Sequence, residues 1–184
     1  MLFSPGWRAP IRQGEVLAVF TLGLLLGGTL GATVIWLLSG LSAPLPSPAR
    51  TAAILAVAAL GAAREFGLIR LPLPQNARQI PQEVLQTHLR RGALQFGFEL
   101  GTGVRTYVSA TAPYVLALAL LLVHEDLPVT LLAGAAFGLG RALSAALTYL
   151  ARDDHRDAAV ALRIPHMKTT TATASLLALA LLTL

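Results

Sequence analysis

The 184-residue chain contains no cysteine. That excludes disulfides, thiolate metal sites and thiol redox chemistry within it. Charge is nearly as scarce. Asp, Glu, Lys and Arg make up 12% of the residues, about half the share in an ordinary soluble domain. The four histidines, His88, His124, His155 and His166, form no i,i+4 pair, so neither a zinc site nor any other cofactor is expected. There is no GxxxxGK[ST] phosphate loop, no pair of carboxylates on one helix face and no G-x-S-x-G elbow. Nothing points to an enzyme. The net charge of +5 comes without a basic stripe interleaved with aromatics, so nucleic acid is not an expected partner.

What the chain has instead is apolar length. Hydrophobic residues make up 55% of it and mean hydropathy is +0.67. At least four stretches approach the ~20 residues that cross a bilayer as helix. The expectation is an all-α, polytopic integral membrane bundle of about five transmembrane helices, a single membrane domain over 1–184 with lipid as its solvent. Residues 1–14 read as an interfacial arm carrying Trp7, Arg8 and Arg12. They lack a short apolar core followed by an A-x-A site, so the first apolar run is expected to stay in the membrane. Spans are expected at about 16–41, 51–69, 96–123, 129–150 and 169–184. The prolines of 42–48 make a turn. Residues 71–91 form a polar connector, its later part a short surface helix. Residues 152–168 form a charged loop.

The third apolar region, 92–123, is too long for one straight crossing, at ~48 Å of helix against a ~30 Å hydrocarbon core. It carries Gly97, Gly101, Gly103 and Pro113, and a tilted or broken helix is the expectation. Loop charge sets orientation. Ten basic residues (Arg8, Arg12, Arg70, Arg78, Arg90, Arg91, Arg152, Arg156, Arg163 and Lys168) fall on one side of a five-span layout, and only Arg50 on the other. The positive-inside rule then places the N-terminus in the cytoplasm, in a multi-pass protein of the cell's inner (cytoplasmic) membrane.

Five ionisable residues fall in or at the ends of spans: Arg64, Glu65, Glu99, Arg105 and Arg141. Charge in hydrocarbon costs several kcal/mol, on the order of 3 kcal/mol on insertion scales, so such groups face the bundle interior, pair, or mark a solute path. Arg141 lies near the middle of the fourth span, with Glu99 as its natural partner. Two main readings stand, an ion pair locking two helices and a solute site; snorkelling to an interface is a third. Arg64 and Glu65 lie near the cytoplasmic end of their span, where snorkelling is the expectation. The third span carries a polar run of Glu99, Thr102, Arg105, Thr106, Ser109 and Thr111. Such runs form midplane sites in the broken helices of transporters, and they also serve ordinary helix packing. Tyr114 lines the same region or fills core. Gly23, Gly27 and Gly31 repeat every four residues on the first helix, and Gly134 and Gly138 on the fourth. Those stripes predict close helix packing, the first being a candidate dimer seam.

Three segments resemble the CcdA/DsbD transmembrane family, which belongs with the LysE-type transporters. They are GLIRLPLP (67–74), FGFELGTGVRTYVSATAPYVLALALLL (96–122) and AGAAFGLGRALSAAL (133–147). The resemblance implies broken helices around a central cavity. It does not extend to electron relay, which needs two thiols. Tyr114 follows Pro113 where the family has cysteine, Arg141 to Ser144 stand where it often has proline, and its first cysteine-bearing span is missing. The functional expectation is a small transporter-like membrane protein handling a small polar or anionic solute, with Glu99, Arg105, Thr106, Ser109, Tyr114 and Arg141 lining the site. The alternative is a non-catalytic scaffold or accessory subunit of a larger membrane complex. The lipid bilayer is the expected partner, together with a second copy in a homodimer or another subunit of a complex.

Overall fold

The computed structural model of the protein describes residues 10–73, 89–103, 110–151 and 154–183. They are all-helical: six α-helices, one 3₁₀ turn and no strand among the described residues. We number the helices α1 (Pro10–Ser39), α2 (Ser47–Glu65), α3 (Leu89–Gly101), α4 (Ala112–Val123), α5 (Leu127–Ala151) and α6 (Asp154–Thr183).

Local chemistry sets most helix ends. After α1 the chain tightens into the 3₁₀ turn Gly40–Ser42, and Pro48 in the first turn starts α2. Helix α2 stops in a Schellman arrangement. The Gly67 N–H bonds the Arg64 carbonyl and the Leu68 N–H bonds the Ala63 carbonyl. Gly67 sits at φ +76°, a conformation open to glycine at little cost. The third apolar region is broken, as its length and composition predict. Helix α3 ends at Gly101, Gly103 takes φ +71°, and helix resumes at Ala112 with Pro113 in its first turn. His124 ends α4 in the left-handed region, at φ 58°.

The charged stretch expected as a loop is different. From Asp154 onward it is helical and continuous with the last apolar segment. The run Ala158, Ala159, Val160, Ala161, Leu162 and Arg163 is rich in strong helix formers, whose propensity outweighs the scattered charge. Pro165 is accommodated within that helix.

The chain groups into two compact units that alternate along the sequence. The first comprises 1–33, 75–107 and 128–153, hence most of α1 with α3 and α5. Its packing is glycine on backbone. Cβ atoms added at Gly23 and Gly27 would overlap α3 at Leu94 and Phe98, while Cβ atoms at Gly97 and Gly101 would overlap α1 at Phe20 and Leu24. On the neighbouring face of α1, Gly28 meets Gly134 of α5, and Gly138 meets Leu24. Leu24 is fully buried between them. Phe20 stacks on Phe96 with ring centroids 5.6 Å apart, above a small cluster of Val16, Val19, Ala93 and Leu89. The glycine stripe of α1 is thus engaged inside the chain, which removes it as a dimer seam.

The second unit comprises 34–74, 108–127 and 154–184. Helix α2 packs on α4 and α6 through Ile54, Ala58, Val115, Ala119 and Leu179, flanked by Val57, Leu122 and Leu176. Gly61 lets α4 approach, since a Cβ there would lie 2.8 Å from Val115 Cγ2.

Helix α1 buries Gly23, Gly27 and Gly28 and exposes Leu22, Leu26, Leu30 and Val34, each about half accessible at four-residue spacing. That is the reverse of a water-soluble amphipathic helix. Its hydroxyls are satisfied locally: Thr21, Thr29 and Thr33 each donate to the carbonyl four residues back. Helix α5 likewise exposes Leu132, Leu139, Leu143 and Leu150. Among the described residues, two helical stretches, Gln13–Ser42 and Leu127–Leu147, are long and apolar enough to cross a membrane.

Candidate functional site: a buried carboxylate at the restart of the broken helix

Of the six residues expected to line a solute site, Arg105, Thr106 and Ser109 lie outside the described residues. Glu99 and Arg141 belong to the first unit and Tyr114 to the second; all three are half-buried. Glu99, one turn before the end of α3, accepts a hydrogen bond from Gln95 Nε2 at 3.1 Å. Its backbone carbonyl accepts one from the Thr102 hydroxyl. Arg141 lies with its guanidinium carbon 5.5 Å from the ring centroid of Phe137, one turn earlier on α5. A ring face attracts a cation by about 0.5–2 kcal/mol when water is excluded. Glu99 and Arg141 do not pair. The ion pairs among the described residues are Arg64–Glu65 and the exposed Arg90–Glu15. The aromatic ring one turn back takes the place that Glu99 was expected to fill.

The most developed polar arrangement is one that sequence reasoning passed over. Glu65, the last residue of α2, has a side chain only 5% exposed. Its Oε1 accepts three hydrogen bonds, from the Thr111 N–H at 2.8 Å, the Thr111 hydroxyl at 2.9 Å and Arg64 Nη1 at 3.0 Å. Arg64 is held in turn by its Nε, which donates to the Leu71 carbonyl at 2.7 Å. Thr111 precedes α4 as its N-cap residue, so the carboxylate of one helix caps the next. Charge near a helix N-terminus adds about 0.3–1 kcal/mol, up to ~2 kcal/mol when partly buried. A second acceptor competes for the Thr111 hydroxyl. The Gly61 carbonyl lies 3.2 Å from it, and a hydroxyl has one hydrogen to give. Among the described residues no donor reaches the other carboxylate oxygen, Oε2.

The signal that points here is short. Gly61 and Glu65 share a face of α2 at i,i+4, and Thr111 stands two residues before Pro113, a helix-start pattern. Placing Glu65 by its position near the end of α2 concealed the match, because the helix it caps is only 12 residues long. The recess beside Thr111, lined by Ala58, Ala62, Val115, Ala172 and Ser175 among others, is too tight for a water molecule.

At the other end of α4, Ser39 and Ser42 are buried. The Ser39 Oγ lies 2.7 Å from His124 Nδ1 and donates to the Trp36 carbonyl at 2.6 Å. With that hydrogen committed, the bond to His124 requires the proton on Nδ1. Ser42 bonds the Ser39 carbonyl at 2.7 Å. The described residues contain no group of three or more acidic, histidine or cysteine side chains placed to hold a metal ion. No family model, curated protein or solved structure matches the chain.

Proposed function

We propose that this chain is a multi-pass protein of the cytoplasmic membrane. It crosses five times with its N-terminus inside, and it handles a small polar or anionic solute at the interruption of its third span. The observation that carries this reading is the interruption itself. In an apolar region of 32 residues, one helix ends at Gly101, the described backbone of Thr102 and Gly103 is non-helical, and a second helix begins at Ala112. Backbone freed from helix inside a membrane is tolerated where protein buries it or where it lines a hydrated cavity. The residues around this interruption are unusually polar for a span: Glu99, Thr102, Arg105, Thr106, Ser109 and Thr111. The excess of Arg105 and Arg141 over Glu99 favours an anion. The leucine-faced exterior of α1 and α5 supports lipid as the surrounding solvent, and the ten-to-one loop charge supports the orientation. The kinship to the CcdA/DsbD family remains part of this proposal, confined to architecture.

The absence of cysteine makes the experiment clean. Single cysteines placed at Thr102, Arg105, Thr106 and Ser109 are treated in sealed vesicles with a charged, membrane-impermeant maleimide. A water-filled interruption labels at several of these positions, and Leu26→Cys on the exposed face of α1 does not label. Labelling at none of the four refutes the solute reading.

One observation favours a second reading, an accessory subunit of a larger membrane complex. The described packing is dry and closely filled, with glycine against backbone in the first unit and no room for water beside Thr111 in the second. Purification in mild detergent separates the two. A stoichiometric heteromeric complex supports the subunit, and a chain purified alone or with its own copies supports the carrier.

A further inference from the structure

Helices α2 and α6 run antiparallel. Ile54, near the start of α2, clusters with Leu179, near the end of α6, and Ala62 lines the same recess as Ala172. On that register Phe66, the residue after α2, comes level with Lys168: each stands four residues from its alanine. Beyond this level α6 stands clear of the unit's core. Its side chains from Leu162 to Met167 are all exposed, and six consecutive positions go fully round a helix of ~3.6 residues per turn. From Lys168 onward one face is covered again. The segment after α2 stays at this same end. The 2.7 Å bond from Arg64 Nε to the Leu71 carbonyl ties it back to the helix terminus, and Arg70, next to Leu71, is exposed.

Three cations therefore gather at one end of the second unit: Arg70, Arg163 and Lys168. Arg64 and Arg90 each bond a carboxylate. The three gathered cations have no side-chain hydrogen bond or ion pair among the described residues. The carboxylate at their level, Glu65, is already held by Arg64 and Thr111. Asp154 and Asp157 stand neither three nor four residues from Arg163 or Lys168, the spacings at which charges on one helix meet. Large apolar side chains are exposed at this end too: Leu68 is 77% accessible, Leu162 81% and Met167 58%. Water leaves that apolar surface wetted, and hydrocarbon leaves three charges bare. The headgroup zone of a bilayer suits both, with phosphates beside the cations and acyl chains beside the leucines.

From this juxtaposition we infer that the end of α2 and the middle of α6 form a binding site for an anionic phospholipid. Arg70, Arg163 and Lys168 take its phosphodiester, and Leu68, Leu162 and Met167 lie along its acyl chains. The site rests on the membrane reading above and adds to it a selectivity that the positive-inside count does not require. Loop charge sets orientation in any bilayer, whereas this collar distinguishes one lipid from another. Its occupant is drawn from the cytoplasmic leaflet, where anionic lipid is concentrated.

The test measures the lipid next to the collar. The full chain carrying Leu68→Cys is labelled with a fluorophore and reconstituted in bilayers of phosphatidylcholine and phosphatidylglycerol, with one lipid or the other brominated on its acyl chains. Brominated phosphatidylglycerol should win the site at least about fivefold over phosphatidylcholine, the preference that ~1 kcal/mol from a single cation gives. A label at Leu26→Cys, on the leucine face of α1, should show no such preference. Arg70→Gln, Arg163→Gln and Lys168→Gln together should bring the ratio at position 68 to one, and Arg50→Gln, at the opposite end of α2, should leave it unchanged. Equal quenching in the parent, or a preference that survives the triple variant, overturns the inference. If the triple variant does not fold, salt decides: at about 1 M the Debye length is ~3 Å, and a preference left intact there overturns it. A label at 68 quenched by neither lipid, with the label at 26 quenched by both, means that protein covers the collar and overturns this inference alone. Quenching at neither position rejects the membrane reading as well.

Discussion

Adding one methyl group at chosen glycines tests the backbone seam of the first unit, and the direction of the effect depends on position. At Gly27 the new Cβ would overlap the Phe98 carbonyl and would lie 2.8 Å from the Thr102 nitrogen and 2.9 Å from the Gly101 Cα. All three are backbone atoms, which cannot rotate away. Relief requires α1 and α3 to separate, which loosens the neighbouring glycine contacts along the same seam. Overpacking of this kind costs about 1–3 kcal/mol, against a helix-propensity gain of about 0.8–1 kcal/mol for alanine over glycine. Gly27→Ala is therefore destabilised by up to about 2 kcal/mol. At Gly31 the nearest atom to an added Cβ is 3.4 Å away, ordinary contact, and at Gly140 nothing lies within 4 Å. Gly31→Ala is expected near neutral to slightly stabilised, and Gly140→Ala stabilised by about 0.5–1 kcal/mol. For a chain of this size 1 kcal/mol moves Tm by roughly 2–4 °C. Thermal unfolding of the three variants in one detergent should rank them Gly140→Ala, Gly31→Ala, Gly27→Ala from most to least stable. Equal shifts, or a more stable Gly27→Ala, would refute the close helix crossing.

Glu65→Ala removes the cap and leaves the Thr111 N–H and Arg64 without their shared acceptor; loss of about 1–3 kcal/mol should appear in detergent unfolding, with Glu65→Gln less affected because the amide oxygen still accepts. Ser39→Ala should cost about 1 kcal/mol and change the His124 imidazole environment, read by its ring proton resonances. Phe137→Leu removes the ring face beneath Arg141 and should destabilise by about 0.5–1 kcal/mol beyond the loss of packing; a Phe137→Leu, Arg141→Gln double-mutant cycle isolates that part, and a zero coupling dismisses the contact. Cysteines at Arg50 and at Arg163 should react with an impermeant maleimide from opposite sides of oriented vesicles, and reaction from the same side would reject the five-span layout.

Much of the architecture was legible because its signals are local. Prolines 44, 46 and 48, Gly67 and Gly103 mark helix ends by backbone chemistry that needs no partner, and the excess length of the third apolar region forecast its break. The glycine periodicity announced close packing but not which helix would be packed, since a stripe carries no information about its neighbour. The charged stretch before the last apolar segment reads as loop by its charge density, and the alanine-rich helix propensity of 158–163 prevails over it. Opposite charge alone suggests a pair of Arg141 with Glu99, whereas Phe137, one turn away on the same helix, lies against Arg141. The capping role of Glu65 is hidden in the sequence for a related reason. Its contact with Thr111 spans 46 residues and depends on how short α4 is.

Each unit is assembled from three segments that alternate along the chain with those of the other, and this has a consequence for synthesis. Helix α2 emerges early, yet Ala172 and Leu176, which pack beside it, follow about a hundred residues later. At ribosomal rates of ~5–20 residues per second, α2 waits on the order of 5–20 s before its partner helix exists. For the first part of that interval Glu65 lacks Thr111, which lies 46 residues further on, and throughout it Glu65 lacks a finished interior to shelter it. The nascent protein must therefore shield a polar group that the mature one hides, and the order in which its pieces are made becomes part of the problem of building it.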